Sequence, residues 1–278
     1  MFTVFYAEFL AFTDKYLNKF YIFIVYLCLM RNKRTQFLFI LVLLLLTISC
    51  KKETESVTFD FGYSYFPDDS GTYVIYKVDS VLYNDFDPLN LKRSSTHYLK
   101  EVITEQFTDN LGRTARKVER FVADSLDKPW IPFNVWYLVK NKTNAEKVED
   151  NIRYIKITFP VSVGNTWRGN KYNELNHFPF VDLKFTTTNF DWNYEVKSIN
   201  ETFSNAEVFS DSTMTILQAA DSSNVQKVYS LEKYAKNIGM VYKELWRLDA
   251  QLVDDQTYEE DAVFGFILRQ TAVKYGKE

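Results

Sequence analysis

The chain has 278 residues, of which 46% are hydrophobic and 17% aromatic, and this composition excludes a disordered or collagen-like protein. Charged residues make up 25% of the sequence and the net charge is -3, so nothing in the composition supports a nucleic-acid partner held by a basic face. Only two cysteines and two histidines are present, which excludes a disulfide-rich scaffold and zinc sites built mainly from these residues.

The first predicted element in chain order is an export signal over residues 30–49. A short basic segment at 31–34 precedes an apolar run at 37–46, and small and polar residues then lead to Cys50. This layout is typical of a secretory signal peptide. The apolar run is too short for a membrane span, because a spanning helix needs about 20 residues.

Cys50 lies at the end of a specific motif, Leu46-Thr47-Ile48-Ser49-Cys50. The motif resembles the lipobox of bacterial lipoproteins. This resemblance implies that Cys50 is the site of lipid attachment and the first residue of the mature chain, and that the membrane is a partner through this lipid. Two or three acyl chains would hold the domain stably, because a single chain anchors only marginally. The alternatives are an uncleaved anchor and an ordinary signal followed by a coincidental cysteine.

The residue after the lipidated cysteine bears on which membrane carries the anchor. Asp at this position retains some enterobacterial lipoproteins in the inner membrane, and this chain has Lys51 there. We therefore expect a lipid-anchored protein of the cell envelope, at the outer membrane. The sequence leaves open whether the domain faces the periplasm or the cell surface.

The segments on either side of the signal complete the predicted domain organisation. Residues 1–29 are interpreted as an over-extended N-terminus with Met30 as the true initiator, and the alternative is an unusually long signal. Residues 50–57 are predicted to be the lipidated cysteine and a polar tether, and residues 58–278 a single β-rich domain. Five of the 33 basic and two of the 36 acidic residues precede Cys50, so the rest of the chain carries a net charge of -6.

Within 58–278 the pattern favours β-strands, because short runs of β-branched and aromatic residues alternate with turn-forming residues. Residues 226–235 have the propensity of a helix, but the turn at 237–239 favours a hairpin instead. About ten or eleven short strands predict an all-β fold, built as an antiparallel sandwich, barrel or half-barrel. The predicted strands are 71–83, 98–107, 114–122, 135–139, 152–159, 181–187, 194–199, 213–218, 226–234, 240–248 and 263–273.

Three segments, 65–80, 160–173 and 234–244, carry a further resemblance. They are similar to segments that recur in uncharacterised Bacteroidota lipoproteins, and the resemblance extends over most of the mature chain. It implies a lipobox signal followed by a β-rich domain, and it implies no activity. Positive φ at turns is predicted for Gly164, Gly169 and Gly239. Trp167 is predicted to cover one end of the hydrophobic core.

The sequence offers no catalytic or metal-binding constellation, so the predicted catalytic, cofactor-binding and metal residues are none, and no cofactor is expected. His97 and His177 lack metal-ligand spacing and are interpreted as structural polar residues. Residues 84–90 look superficially like a calcium loop, but they lack its central Gly and terminal Glu, so a solvated turn is expected. Adjacent acids at 68–69, 254–255 and 259–261 do not provide carboxylates placed across a cleft.

Aromatic residues are the remaining functional hint, because they can line a groove for a sugar or a lipid. The alternative is that they form the β core. The favoured hypothesis is a non-catalytic binding or assembly module whose partner is an envelope protein, a glycan or a lipid. The alternatives are a carrier of a hydrophobic ligand in a half-barrel cavity and a glycan-processing enzyme with paired carboxylates. The aromatics concerned are Tyr73, Tyr76, Tyr83, Trp130, Trp136, Tyr137, Trp167, Trp192, Tyr194, Tyr229, Tyr234 and Trp246.

Overall fold

The computed structural model describes residues 59–87, 89, 91–172, 192–250 and 257–278, together with Arg34. The chain divides into two compact units, Met1–Thr58 and Phe59–Glu278, and every element described below belongs to the second. None of the helices in these ranges is both long enough and apolar enough to cross a membrane. Cys50, the predicted site of lipid attachment, lies outside the described residues.

Twelve antiparallel strands form one sheet in the described part of the second unit, and helix is scarce there. A 3-10 helix, Tyr63–Tyr65, precedes the first strand, and a four-residue helix α1, Tyr258–Asp261, precedes the last. The strands are β1 Thr72–Asn84, β2 Lys92–Thr108, β3 Thr114–Ala123, β4 Ile131–Lys140, β5 Asn144–Glu149, β6 Ile152–Thr158, β7 Thr166–Arg168, β8 Asn193–Ser204, β9 Phe209–Ser223, β10 Gln226–Ala235, β11 Gly239–Ala250 and β12 Ala262–Lys277.

The sheet consists of two meanders of six strands each, in the spatial order β6-β5-β4-β3-β2-β1-β12-β11-β10-β9-β8-β7. The first and last strands join the meanders, with Thr72 opposite Lys277. At the other end the edges β6 and β7 meet: the Ile155 amide donates to the Gly169 carbonyl at 2.8 Å, and the Trp167 indole donates to the Ile155 carbonyl at 2.8 Å. The sheet is therefore nearly closed into a barrel, which confirms the all-β prediction and selects the barrel among its alternatives.

Turn chemistry explains why the chain reverses where it does. Between β2 and β3, Gly112 adopts φ 75° and the Asp109 carboxylate accepts the Leu111 and Arg113 amides at 2.9 Å. Between β10 and β11, Asn237 and Gly239 adopt φ 63° and 96°, conformations that Asn and Gly tolerate. Both predicted hairpins are confirmed, including the one favoured over a helix at 226–235.

Some strand predictions differ from the structure. β5 and the three-residue β7 were not predicted, and β4 begins four residues earlier than expected. Several strands are also longer than the expected short segments, and β2 reaches 17 residues. The predicted strand at 181–187 lies outside the described residues.

The core lies on the inner face of the barrel, where side chains from both meanders meet. It is rich in aromatic rings, and Trp167 packs against it as predicted. Gly169 does not have positive φ, so that prediction was wrong. Gly169 is instead a point of close approach, because a Cβ there would lie 2.3 Å from Cζ of Tyr194. A smaller cluster of Tyr83, Leu248 and Ile267 is separate from this core.

Candidate functional site

A cavity at one end of the barrel interior is the candidate functional site. Its volume is about 80 Å³, which accommodates a few water molecules or one small organic group. Its lining combines an apolar part with a group of buried charges. The apolar and aromatic lining includes Phe66, Pro67, Val74, Tyr76, Ile103, Val118, Trp136, Leu138, Tyr234, Ile238 and Met240.

Six charged residues line the cavity, and together with Arg120, which does not line it but is paired with Glu101, they form a belt of alternating sign. We define this belt as seven residues on β2, β3, β5, β6, β10 and β11. Three are acids and four are bases, and all are buried or nearly so. In order along the belt they are Arg120, Glu101, Lys147, Glu149, Lys156, Glu232 and Lys243; successive members form ion pairs, except Lys147 and Glu149, which interact electrostatically as neighbours on β5.

The first part of the belt is organised by Glu101. One of its carboxylate oxygens accepts Nε of Arg120 at 2.9 Å, and the other accepts Nζ of Lys147 at 2.8 Å. The Arg120 guanidinium also lies 3.4 Å from the ring centre of Trp136 and donates to Asn134 at 2.9 Å. Because a buried charge is costly unless it is paired and hydrogen-bonded, this packing explains how Arg120 is accommodated.

The second part of the belt joins the two meanders. Nζ of Lys156, on β6, lies 2.9 Å from Glu149 and 3.0 Å from Glu232, which is on β10. The second oxygen of Glu232 accepts the Tyr234 hydroxyl at 2.5 Å. Lys243 on β11 reaches the same Glu232 oxygen as Lys156, but at 3.4 Å.

These contacts keep all three acids of the belt ionised. Burial by itself would raise the pKa of Glu149, but Lys156, Lys243 and Lys147 outweigh burial and lower that pKa to about 2. The pKa values of Glu101 and Glu232 are also lowered, because neighbouring cations again outweigh burial. Burial would lower the pKa of Lys156, but Glu149 and Glu232 raise it well above its usual range.

The belt is therefore suited to binding and poorly suited to acid–base chemistry. General acid catalysis at neutral pH requires a carboxyl group whose pKa is raised, as in a glycosidase acid. The acids of the belt have lowered pKa values and are each engaged by at least one cation. The fixed charges can instead orient a polar ligand group, while the apolar lining accommodates its hydrocarbon part.

A second polar cluster lies outside the cavity and has a structural role. Asp109, Arg113, Glu146 and Arg153 are joined by ion pairs, and the two acids are almost fully buried. Burial would raise the pKa of Asp109, but its hydrogen bonds with Arg113 and with the Leu111 amide lower it to about 2. Asp109 also forms the β2–β3 turn, so this cluster fixes a hairpin.

The structure separates the candidate residues of the sequence rather than assembling them into a site. His97 lies in the middle of β2 and is half-buried, and burial lowers its pKa. His177 lies outside the described residues, as do the acids at 254–255. Residues 84–87 form a turn in which the Asp87 amide donates to the Asn84 carbonyl at 3.1 Å. Within the described ranges, no group of three or more His, Cys, Asp or Glu side chains is arranged to hold a metal ion.

The remaining predicted acids are engaged at separate places. Asp68 accepts Lys140 at 2.9 Å, and Glu259 accepts Arg269 at 3.0 Å. Glu260 caps helix α1 through Thr257. Asp68 and Asp69 therefore lie in a loop, whereas the acids at 259–261 belong to helix α1.

The predicted aromatics contribute only partly to the site. Tyr76, Trp136 and Tyr234 line the cavity, and Tyr194 and Trp192 belong to the core beside them. The sequence interpretation missed the charged belt entirely. Its signal was present: Glu232 and Lys243 each occupy an inward position of a strand, two residues from buried neighbours on either side, and Glu101 lies two residues from the buried Leu99.

Comparison with known proteins gives weak matches only. No protein-family model and no curated protein matches the chain. One similar solved structure, from Bacteroides fragilis, is named as an exported protein with a YmcC-like fold; it is 12% identical, has a TM-score of 0.33, and the alignment covers 76% of this chain and 98% of that one. Another, from Parabacteroides distasonis, is named as a lipoprotein; it is 11% identical, has a TM-score of 0.31, and the coverage is 78% and 99%.

Proposed function

We propose that the chain is a lipid-anchored protein of the cell envelope whose β domain is a non-catalytic binding module. The observation that carries the binding role is the cavity with its apolar lining and belt of fixed charges. Ligand sites are typically concave and mostly apolar, with a few polar groups that set orientation. The anchor is supported by the motif that ends at Cys50 and by the signal-like segment before it.

The geometry favours this proposal over the two alternatives from the sequence. A carrier of a long hydrophobic ligand needs a large apolar cavity, whereas this cavity is small and lined by Glu149, Lys156 and Glu232. A glycan-processing enzyme needs one protonated carboxyl group opposite an ionised one. The cavity carboxylates, Glu101 included, have lowered pKa values and are paired with cations.

Membrane fractionation tests the anchor. Cys50→Ala removes the thiol that would carry the lipid, so the variant should leave the membrane fraction and lose incorporation of labelled fatty acid. Cys28→Ala, at the only other cysteine of the sequence, should alter neither result, because residue 28 precedes the predicted mature N-terminus at Cys50. A Cys50→Ala protein that stays in the outer-membrane fraction would refute the lipid anchor.

Methyl NMR tests the binding cavity directly. The chain has four methionines; Met240 lines the cavity, whereas Met214 is fully buried in the core and does not line it. Four probes, butyrate, butyramide, butanol and butylamine, share one hydrocarbon chain and differ in the head group. We expect at least one of them to shift the Met240 methyl resonance of the full chain in detergent without shifting that of Met214. If none of the four moves Met240 selectively, the cavity is not a binding site.

A further inference from the structure

We propose that an aromatic patch at the start of the β domain, formed by Phe59, Phe61 and Tyr63, docks on the membrane surface. This inference rests on the proposed lipid anchor at Cys50. It goes beyond the anchor, because it assigns a lipid surface as the direct partner of protein side chains. It follows from the exposure of the rings, from the contacts that fix them and from the length of chain between them and Cys50.

The patch is a row of three aromatic rings that runs from the core to the solvent. Phe59 is 62% exposed and Phe61 is 43% exposed. Their rings meet edge to face with centres 4.9 Å apart, and the Phe61 ring stacks on that of Tyr63 at 5.5 Å. Tyr63 packs against the core, where its ring lies 4.7 Å from that of Phe159. Contiguous exposed apolar side chains of this kind are typical of a surface that meets a protein or a membrane.

Backbone and side-chain contacts hold the patch in place. The Phe61 carbonyl accepts the Val161 amide at 3.1 Å. Gly62 adopts φ 83°, and its amide donates to the Asp60 carboxylate at 2.8 Å. The other carboxylate oxygen of Asp60 accepts Nζ of Lys236 at 2.8 Å. This ion pair also neutralises the acid that lies between the two phenylalanines, which anionic lipids would otherwise repel.

The length of the tether keeps the patch within reach of the membrane. Phe59 is the ninth residue after Cys50, and nine residues span at most about 30 Å when fully extended. Anchoring through Cys50 therefore gives the patch a high effective concentration at the lipid surface, so contacts too weak to bind a free protein become populated. Aromatic rings are suited to such contacts, because they partition into the boundary between head groups and acyl chains.

The patch lies at the end of the barrel where β10 ends, because the Ser64 carbonyl accepts the amide of Asn237 in the β10–β11 turn at 2.7 Å. Neighbouring strands are antiparallel, so β1 begins at this same end. Phe86 and Leu89, which follow β1, are 85% and 91% exposed at the opposite end. β1 has 13 residues, and a strand of this length extends over about 40 Å, which is more than the tether spans. The tether therefore favours the aromatic patch as the surface that meets the membrane.

Fluorescence quenching in vesicles tests the docking. Once the signal is removed and Cys50 carries lipid, the mature chain has no free thiol, so an introduced cysteine is labelled alone. Val163→Cys places the label in the loop that is bonded to Phe61 through Val161. Val225→Cys is the matched control, because Val225 is a valine of similar exposure, 63% against 56%, at the other end of β10.

The full lipidated chain is placed in vesicles of phosphatidylethanolamine and phosphatidylglycerol that also contain lipids with a nitroxide head group. The fluorophore at residue 163 should be quenched about threefold more strongly than that at residue 225, because only the former lies at the lipid surface. Absence of quenching at residue 163, as expected if the patch binds a protein, would overturn the docking.

Variants connect the quenching to the two exposed rings. Phe59→Ser combined with Phe61→Ser should reduce quenching at residue 163 to the level at residue 225, while Cys50 keeps the chain in the membrane. Phe59→Trp combined with Phe61→Trp should retain the quenching, since tryptophan is favoured at the interface. Phe86→Ser combined with Leu89→Ser is the matched control at the opposite end and should change nothing. If the first variant does not fold, as judged by circular dichroism, the comparison of residues 163 and 225 decides.

The failures of the docking and of the anchor can be told apart. A chain that stays in the membrane fraction with equal quenching at both labels would overturn the docking and leave the anchor in place. Quenching at residue 163 that survives in a folded chain without the two phenylalanines would do the same. A chain whose Cys50 takes up no labelled fatty acid would overturn the anchor, and the docking with it.

Discussion

At the scale of single residues, the buried charges of the belt determine how the domain responds to pH. Isolated buried charges are costly, and a buried ion pair is tolerated when its members are closely paired and hydrogen-bonded. Glu149 meets this condition through Lys156 at 2.9 Å, and Lys156 is also held by Glu232. Removing one member of such a pair therefore leaves its partner as an uncompensated buried charge, which destabilises the fold.

Glu149 gives the first residue-scale prediction. Its pKa is lowered from 4.5 to about 2 in the folded domain, so its stabilising contribution is complete above pH 4.5 and is lost as the pH falls towards 2. Glu149→Gln should lower the free energy of unfolding at pH 7 by about 3 kcal/mol. Its stability should also fall less steeply between pH 4.5 and 2 than that of the wild type. Urea unfolding across this pH range measures both, with the exposed Glu207→Gln as a control that changes neither.

Gly169 gives the second residue-scale prediction. A Cβ at this position would lie 2.3 Å from Cζ of the Tyr194 ring, which is almost fully buried in the core. Gly169→Ala should therefore cost about 3 kcal/mol of stability through overpacking. Gly164→Ala tests backbone strain alone, because Gly164 has φ 84° and nothing within 4 Å of an added Cβ, so it should cost about 1 kcal/mol. Equal losses in the two variants would contradict the steric role of Gly169.

At the scale of elements, local sequence predicts the strands and turns but not how the sheet closes. Hairpins such as β10–β11 are predictable because alternation and turn residues lie within one short segment. The three-residue β7 was missed because it carries no periodicity, and its place is set by contacts with β6 and β8. The belt was missed for a related reason: a charged residue at an inward position looks like an ordinary surface charge until its partner on a distant strand is known.

The closure between β6 and β7 gives the element-scale prediction. Trp167→Phe removes the indole donor to the Ile155 carbonyl and should cost about 1 kcal/mol. The Ile155 amide, which donates to Gly169, should then exchange with solvent faster, because the edge opens more often. Trp246→Phe is the matched control, since its indole bonds to Glu244 within one strand. Faster exchange of Ile155 in both variants would show that the effect is not specific to the closure.

At the scale of the whole domain, the two meanders depend on each other. The first strand pairs with the last, the edges β6 and β7 meet, and the interior is crossed by the Lys156–Glu232 ion pair. The Tyr76 hydroxyl adds a hydrogen bond from β1 to the Met240 carbonyl on β11 at 3.1 Å. Because the core residues come from both meanders, neither encloses a complete core by itself.

The last prediction concerns the cooperativity of this arrangement. If the meanders stabilise each other, they should unfold in one step, and the amides of Leu99 in β2 and Val228 in β10 should exchange through openings of equal free energy. Hydrogen exchange measured at increasing denaturant concentrations compares these two strands within one molecule. Both residues are almost fully buried, so a difference between them reports on the strands and not on local exposure. An opening of β10 at clearly lower free energy than β2 would show that the second meander unfolds by itself, and the contacts that cross the interior would then not couple the two halves.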